Sequence, residues 1–309
     1  MARRKGPAGL NALIAVDKPA GMTSHDVVAR VRRAVGERRV GHAGTLDPLA
    51  TGVMLVGIGQ ACRLLGMLTL DTKSYVSRVR FGFETTTDDA EGEPTRVAAG
   101  LAELSDPAFA REVLSGFIGA GEQIPPAFSA ISVNGVRSYK RARAGEEVEL
   151  AARPIEVLAA ELIGIEEGED PVWTVAFTVS KGTYIRSLAR DMGRAAGGAA
   201  HVASLARTAS GPVGMADCLA LDGLSAEAAR AGALDPVRAL GAMRLEVAEG
   251  EAADVACGRP LAAPAVPGLA DAARVALVHA GALVALARPE RGRLAPEIVF
   301  PQPIEGVRP

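Results

Sequence analysis

The chain has 309 residues, 49% of them hydrophobic, with 34 Lys and Arg against 36 Asp and Glu and a net charge of −2; that is enough apolar material for a full core, and it suits one large domain with a small one. No apolar run reaches the length of a membrane span and the opening Met-Ala-Arg-Arg-Lys-Gly lacks the apolar stretch of a secretory leader, so no membrane attachment is expected and the cytoplasm is the expected compartment. Three scattered cysteines (Cys62, Cys218, Cys257), never in CxxC spacing, and only four histidines argue against a disulfide framework and against a metal site.

The charge is unevenly spread. Residues 1–47 hold nine Lys or Arg against four Asp or Glu, and Arg137, Lys140, Arg141 and Arg143 form a second basic cluster, while acid collects in residues 84–93 and 161–170. Segregation of this kind permits a positive, RNA-facing side on a mildly acidic protein.

In chain order, Leu13-Ile14-Ala15-Val16 reads as a strand that ends in the turn Asp17-Lys18-Pro19-Ala20-Gly21. Thr23 and Asp26 have the spacing of a capping box; Val27, Val31 and Val35 follow at helical spacing, and Gly36 is the natural stop. Residues 41–63, GHAGTLDPLATGVMLVGIGQACR, place Asp47 after a Gly-rich turn and before Pro48, which biases it away from helix. Val53-Met54-Leu55-Val56 then reads as a buried strand, so the carboxylate is presented from a loop braced by the core. A short helix over residues 60–68 leads to a half-buried strand on which Tyr75, Ser77, Val79, Phe81 and Phe83 share a face. Residues 84–94 read as a polar loop.

In residues 123–145, QIPPAFSAISVNGVRSYKRARAG, the pair Asn134-Gly135 is a hairpin signal, and Ser138 can cap a short basic helix that Gly145 closes. Residues 172–180 alternate, with Trp173, Val175, Phe177 and Val179 on one side, and run into Lys181-Gly182-Thr183-Tyr184-Ile185-Arg186, where helical spacing resumes with Ile185, Leu188, Ala189 and Met192. Beyond residue 240 the texture turns to Ala, Pro and Gly, with a Pro-rich passage over 260–267; residues 275–278, 282–287 and 298–300 suggest short strands of a small β-rich domain.

Over its whole length, GHAGTLDPLATGVMLVGIGQACR resembles the signature of the bacterial tRNA pseudouridine-55 synthases, the TruB family, which isomerise one uridine of the tRNA T-loop. The resemblance implies that Asp47 is the nucleophile and His42 an active-site histidine that helps displace the base. Lys18 matches the family's Lys-Pro element and is implied to support the site; Tyr75 matches its KxY tyrosine, implied to stack on the target base. Residues 180–186, SKGTYIR, resemble a further motif, which makes Arg186 the implied cationic partner of Asp47 and Tyr184 a pocket wall. Residues 198–208 resemble the family's GAHV…LRRT segment, with Leu205 implied near the base and Ala206 standing where the family has arginine. Phe128 and Ser132 stand where it generally has Tyr and Lys.

The chemistry is consistent with this set. Forming pseudouridine breaks a glycosidic bond to nitrogen, turns the uracil and rejoins it through carbon; a carboxylate can open that path by attacking the ribose or the base, and no redox change occurs, so no cofactor is required. A nearby guanidinium keeps the carboxylate ionised. A uridine held in folded RNA must be flipped out, and the exposed base wants an aromatic platform. Dinucleotide binding is disfavoured because residues 57–62, GIGQAC, lack the third glycine, and neither a Walker motif nor the HxE and PCxxC of a zinc deaminase is present. The alternative to a tRNA synthase is a protein of the same fold that mainly binds and folds tRNA. The expected architecture is a mixed α/β (α+β) catalytic domain over residues 1–240, its largely antiparallel central sheet flanked by helices, with a PUA-like RNA-binding domain over 241–309. The expected partner is the T-arm of tRNA, met by a monomer with no obligatory protein partner.

Overall fold

The computed structural model describes residues 9–69, 72–98, 102–129, 132–133, 136–138, 150–269 and 271–308. Its strands are β1 (Ala12–Lys18), β2 (Val40–Ala43), β3 (Thr51–Ile58), β4 (Lys73–Phe81), β5 (Phe83–Thr85), β6 (Pro94–Val97), β7 (Gly119–Gln123), β8 (Ser132–Val133), β9 (Val136–Arg137), β10 (Arg153–Glu166), β11 (Val172–Val179), β12 (Ala200–Ser210), β13 (Val213–Gly214), β14 (Cys218–Ala220), β15 (Met243–Glu246), β16 (Leu261–Ala262), β17 (Val275–His279), β18 (Ala282–Glu290) and β19 (Arg293–Ile304). The helices are α1 (Ser24–Val35), α2 (Leu65–Leu68), α3 (Pro107–Ser115), α4 (Ile185–Ala195), α5 (Ala226–Ala231), α6 (Pro236–Leu240) and α7 (Glu249–Ala256). Among the described residues, no helix is long and apolar enough to cross a membrane. The chain divides into two compact units, one of Met1–Pro48, Gly52–Asp71 and Ala209–Pro309, the other of Leu49–Thr51 and Thr72–Thr208.

In the first unit β3 pairs antiparallel with both β1 and β2, and β14 lies parallel to β1. The expected start and stop of α1 are both present: the Thr23 hydroxyl accepts from the Asp26 N–H, the Asp26 carboxylate accepts from the Thr23 N–H, and Gly36 closes the helix at φ 65°. Val27, Val28, Val31 and Val35 are its buried stripe. A five-stranded sheet, β15-β17-β18-β19-β16, follows from residues 243–304, so the β-rich tail is present with longer strands than the sequence suggested. It is not isolated from the N-terminal strands of its own unit. Ala276, Val278, Leu286, Phe300 and Ile304 share one apolar core with Leu13, Ala15, Val53 and Leu55, and the Glu305 N–H donates to the Asn11 carbonyl.

Instead of one helix over residues 60–68, a 3-10 turn at Gly59–Arg63 precedes α2. Gly59 leaves β3 at φ 61°, and a Cβ there would come within 2.3 Å of Asn11 Oδ1, so the chain turns tightly where Asn11 caps the Gln60 N–H.

The second unit has the strand order β12-β4-β11-β10-β7, with β11 antiparallel to β4 and β10, and β10 antiparallel to β7. The largely antiparallel sheet of the expected fold class is therefore borne out. Trp173, Val175, Phe177 and Val179 are buried as their alternation required, and Trp173 packs at 4.4 Å on Phe81 while its indole N–H donates to the Leu104 carbonyl. Residues 84–94 are not wholly a loop, because β5 and β6 pair at its two ends. β8 and β9 pair on either side of residues 134–135, and the Ser138 hydroxyl donates to the Ala127 carbonyl. The turn itself, the basic helix after Ser138, Lys140, Arg141, Arg143 and Gly145 lie outside the described residues.

Candidate active site

Asp47 lies in the loop between β2 and β3, half-buried, and the loop is held by side chains from the first 24 residues. Gly44 takes φ 74°, which turns the chain out of β2. The buried Ser24 hydroxyl then donates to the Leu46 carbonyl at 3.1 Å and accepts from the Leu46 N–H at 2.9 Å, so both backbone groups of the residue before Asp47 are satisfied by one side chain. On the other side the fully buried Lys18 ammonium donates to the carbonyls of Pro48 (3.2 Å) and Pro19 (3.0 Å), and the Gly21 N–H donates to the same Pro48 carbonyl at 2.9 Å. Burying an ammonium is tolerable only with such partners. Lys18 thus lies against the Asp47 loop. His42 is half-buried on β2, and the exposed His25 of α1 meets it edge to face, the ring centroids 5.6 Å apart at 83°.

In the second unit Arg186 is the second residue of α4 and is 4% exposed. A cation in the first turn opposes the helix dipole, so it needs compensation. The Thr87 carbonyl accepts from its Nη1 at 2.9 Å, the Phe128 carbonyl accepts from its Nη2 at 3.1 Å, and Asp89 Oδ2 forms an ion pair with Nη1 at 3.4 Å. The contact at Phe128 uses the backbone, so the Phe found where the family generally has Tyr does not alter it.

Arg186 is the first rung of a ladder. Arg190 bonds Asp88 at 2.9 Å, and Arg194 grips both oxygens of Glu84 at 2.8 and 2.7 Å, with Arg96 adding a third contact to that carboxylate. Three arginines at i, i+4 and i+8 therefore face Asp89, Asp88 and Glu84, all buried. The strand β12 fixes the acidic segment from the other side: the Val202 N–H donates to the Asp88 carbonyl, and the Ala90 N–H donates to the Val202 carbonyl. Burial pushes the Asp88 carboxyl up to about 6 against the Arg190 and Arg186 charges, whereas the Arg194 and Arg96 contacts hold Glu84 below the usual carboxylate range.

Tyr75 stands near the start of β4, paired with Phe177 and half-buried, while Lys73, Ser77, Val79 and Phe81 on its face are buried. Tyr184 is the N-cap residue of α4, half-buried, and Leu205 is buried in β12. His201, in the GAHV-like segment, packs on Phe83 with the rings tilted by 34° and a ring nitrogen 2.9 Å from the Phe83 carbonyl, which ties β12 to β5. Lys18, His42 and Asp47 thus belong to the first unit, and Tyr75, Tyr184, Arg186 and Leu205 to the second. Sequence reasoning missed Ser24, Asp89, Gln123 and the ladder. The repeat of arginine every fourth residue from 186 and the acids at 84–89 were legible, but nothing local linked two segments about a hundred residues apart.

Residues 32–185 match the TruB family pseudouridylate synthase N-terminal domain. The chain is 45% identical to tRNA pseudouridine synthase B of Mycobacteroides abscessus over 266 residues, 85% of this chain and 88% of that protein. It is 44% identical to the Thermobifida fusca protein of the same name, covering 93% and 98%. In the solved Cbf5–Nop10–Gar1 complex, a chain with 25% identity superimposes with a TM-score of 0.66 over 94% of this chain and 84% of that one. With relatives this similar along nearly their full length, the chain belongs to the TruB family of pseudouridine synthases.

Proposed function

We propose that this enzyme converts the T-loop uridine at position 55 of tRNA into pseudouridine, with Asp47 as nucleophile, Arg186 as the cation that keeps it ionised, and Tyr75 at the base. The observation that carries this reading is the double clamp on the Asp47 loop, in which Ser24 fixes Leu46 and Lys18 fixes Pro48. A nucleophile whose neighbours are locked on both sides meets its substrate without reordering, which is where much of the rate of a positioned reaction comes from. Asp47 adds to C1′ or to the base, the bond from C1′ to N1 breaks and leaves its electron pair on the uracil, and the uracil turns. A bond from C1′ to C5 then forms and the Asp47 carboxylate is released, and the C5 proton passes to the Tyr75 oxygen, whose own proton goes to solvent while N1 takes one up. Tyr75 also supplies the platform for the flipped base, with Tyr184 and Leu205 as walls and His42 displacing the base. The step is redox-neutral and takes no cofactor.

The division into a catalytic part over residues 1–240 and an RNA-binding, PUA-like part over 241–309 belongs to the same proposal, supported by the five-stranded tail. So do action on the T-arm, a monomer that needs no protein partner, and a place in the cytoplasm. The reading is tested by release of the C5 hydrogen from uridine-labelled tRNA. One equivalent per tRNA is expected, with none from a transcript carrying cytidine at position 55; equal release from both transcripts would contradict it.

A further inference from the structure

Residues 123–145 stand out in the sequence, and the function above gives them no task. The first of them, Gln123, ends β7 and is 3% exposed. Its side-chain amide accepts from the Tyr184 N–H at 2.9 Å and donates to the Tyr184 carbonyl at 3.1 Å, so one side chain satisfies both backbone groups of the residue that begins α4. The segment that follows stays on the same helix. The Ile124 carbonyl accepts from Arg190 at 2.9 Å, and the Phe128 carbonyl accepts from Arg186 at 3.1 Å. Residues 123–128, stiffened by Pro125 and Pro126, thus strap the first two turns of α4. The fixed end is Gln123, whose backbone is held in the sheet opposite Arg153.

We propose that Gln123 is a positioning residue for the isomerisation. Acting through the backbone of Tyr184, it sets where the first turn of α4 begins and therefore where the Arg186 guanidinium stands. This rests on the reading of Arg186 as the cationic partner of Asp47. Arg186 lies two residues past the clamp, about 3 Å along the helix axis. A slip of the helix start therefore reaches the guanidinium almost undiminished, and an ångström of misplacement costs on the order of a hundredfold in rate.

The side-chain chemistry makes the role separable from packing. Met keeps the length of Gln but neither bond, and an ionised Glu keeps the acceptor but sets a second acceptor against the Tyr184 carbonyl. A protonated Glu has one accepting oxygen and one donating hydroxyl, the pattern of the amide, and burial holds its pKa up. Gln123→Glu therefore restores the clamp as pH falls.

The test measures kcat and KM on tRNA for full-length Gln123→Met and Gln123→Glu from pH 5 to 8, with melting temperatures, beside Arg186→Lys and Asp47→Asn. Gln123→Met is expected to lower kcat about ten- to a hundredfold, with KM within about threefold of the wild type. Gln123→Glu is expected to be as slow at pH 8 and to regain rate toward pH 5 relative to the wild type at the same pH. Should Gln123→Met not fold, the pH profile of Gln123→Glu decides alone. Wild-type kcat in both variants overturns the proposal, and so does a loss of rate that only follows the unfolded fraction with no recovery at low pH. If Arg186→Lys and Asp47→Asn turn over like the wild type, the reading of the site itself falls. If those two are slow and the Gln123 variants are not, only the role of Gln123 falls.

Discussion

The Asp47 loop and the Arg186 turn are proposed to serve one reaction, yet they are not held in the same way. Asp47 is placed through the backbone of its neighbours, Leu46 and Pro48, which Ser24 and Lys18 hold. Arg186 has a backbone clamp too, at Tyr184, but its own head group is also engaged directly, by two carbonyls and Asp89. The difference fits the proposed roles. Clamps built on adjacent peptide groups fix the chain on both sides of the proposed nucleophile. A guanidinium has five donors and acts as a charge, so some can be tied down while the charge remains.

The contrast is sharpened first by Arg186→Met. It leaves Asp89 buried without its ion-pair partner and bares the Thr87 and Phe128 carbonyls, so stability should fall by about 3–5 kcal/mol in urea unfolding, along with turnover. Tyr75→Phe is next: it keeps the ring and removes the hydroxyl, so tRNA affinity should stay near normal while product formation falls sharply, with further slowing when C5 carries deuterium. Wild-type turnover would reduce Tyr75 to a platform. Ser24→Ala removes both bonds to Leu46 and should cost about 1–3 kcal/mol, with a lower kcat. If its effect on stability equals that of Arg186→Met, the two regions are not held differently.

The smallest effect is in the pH profile of stability. With its carboxyl at about 6 in the fold, above an unfolded value near 4, Asp88 binds more protons folded than unfolded between those values, so its contribution makes stability decline as pH rises through that window. Glu84 is held below its usual range and acts the other way: its contribution is present above the unfolded value, about 4.3, and is lost as pH falls below it. In urea midpoints against pH, Asp88→Asn should remove the decline and Glu84→Gln the acid-side loss. Matching profiles for the two variants would contradict this assignment.

What the sequence disclosed was local. The capping box at Thr23, the stop at Gly36, the alternation from Trp173 and the loop that presents Asp47 each rest on residues a few positions apart, and each is found in the structure. The family motifs added Lys18, and the structure sets its ammonium on the Asp47 loop. The supports of Arg186 were not legible in the same way, because Thr87, Asp89 and Phe128 lie 58 to 99 residues away in the chain. The acids at 84–89 looked like a solvated loop; they are buried because three arginines of one helix face them. Gln123 gave no signal, since what it recognises is a backbone.

The central claim is that Asp47 is the nucleophile, and Asp47→Asn tests it most directly because it keeps shape while removing the attacking charge. Under single-turnover conditions with saturating tRNA, C5 hydrogen release should fall at least about a thousandfold while tRNA affinity stays within a few-fold of the wild type. Release at the wild-type rate would contradict the account.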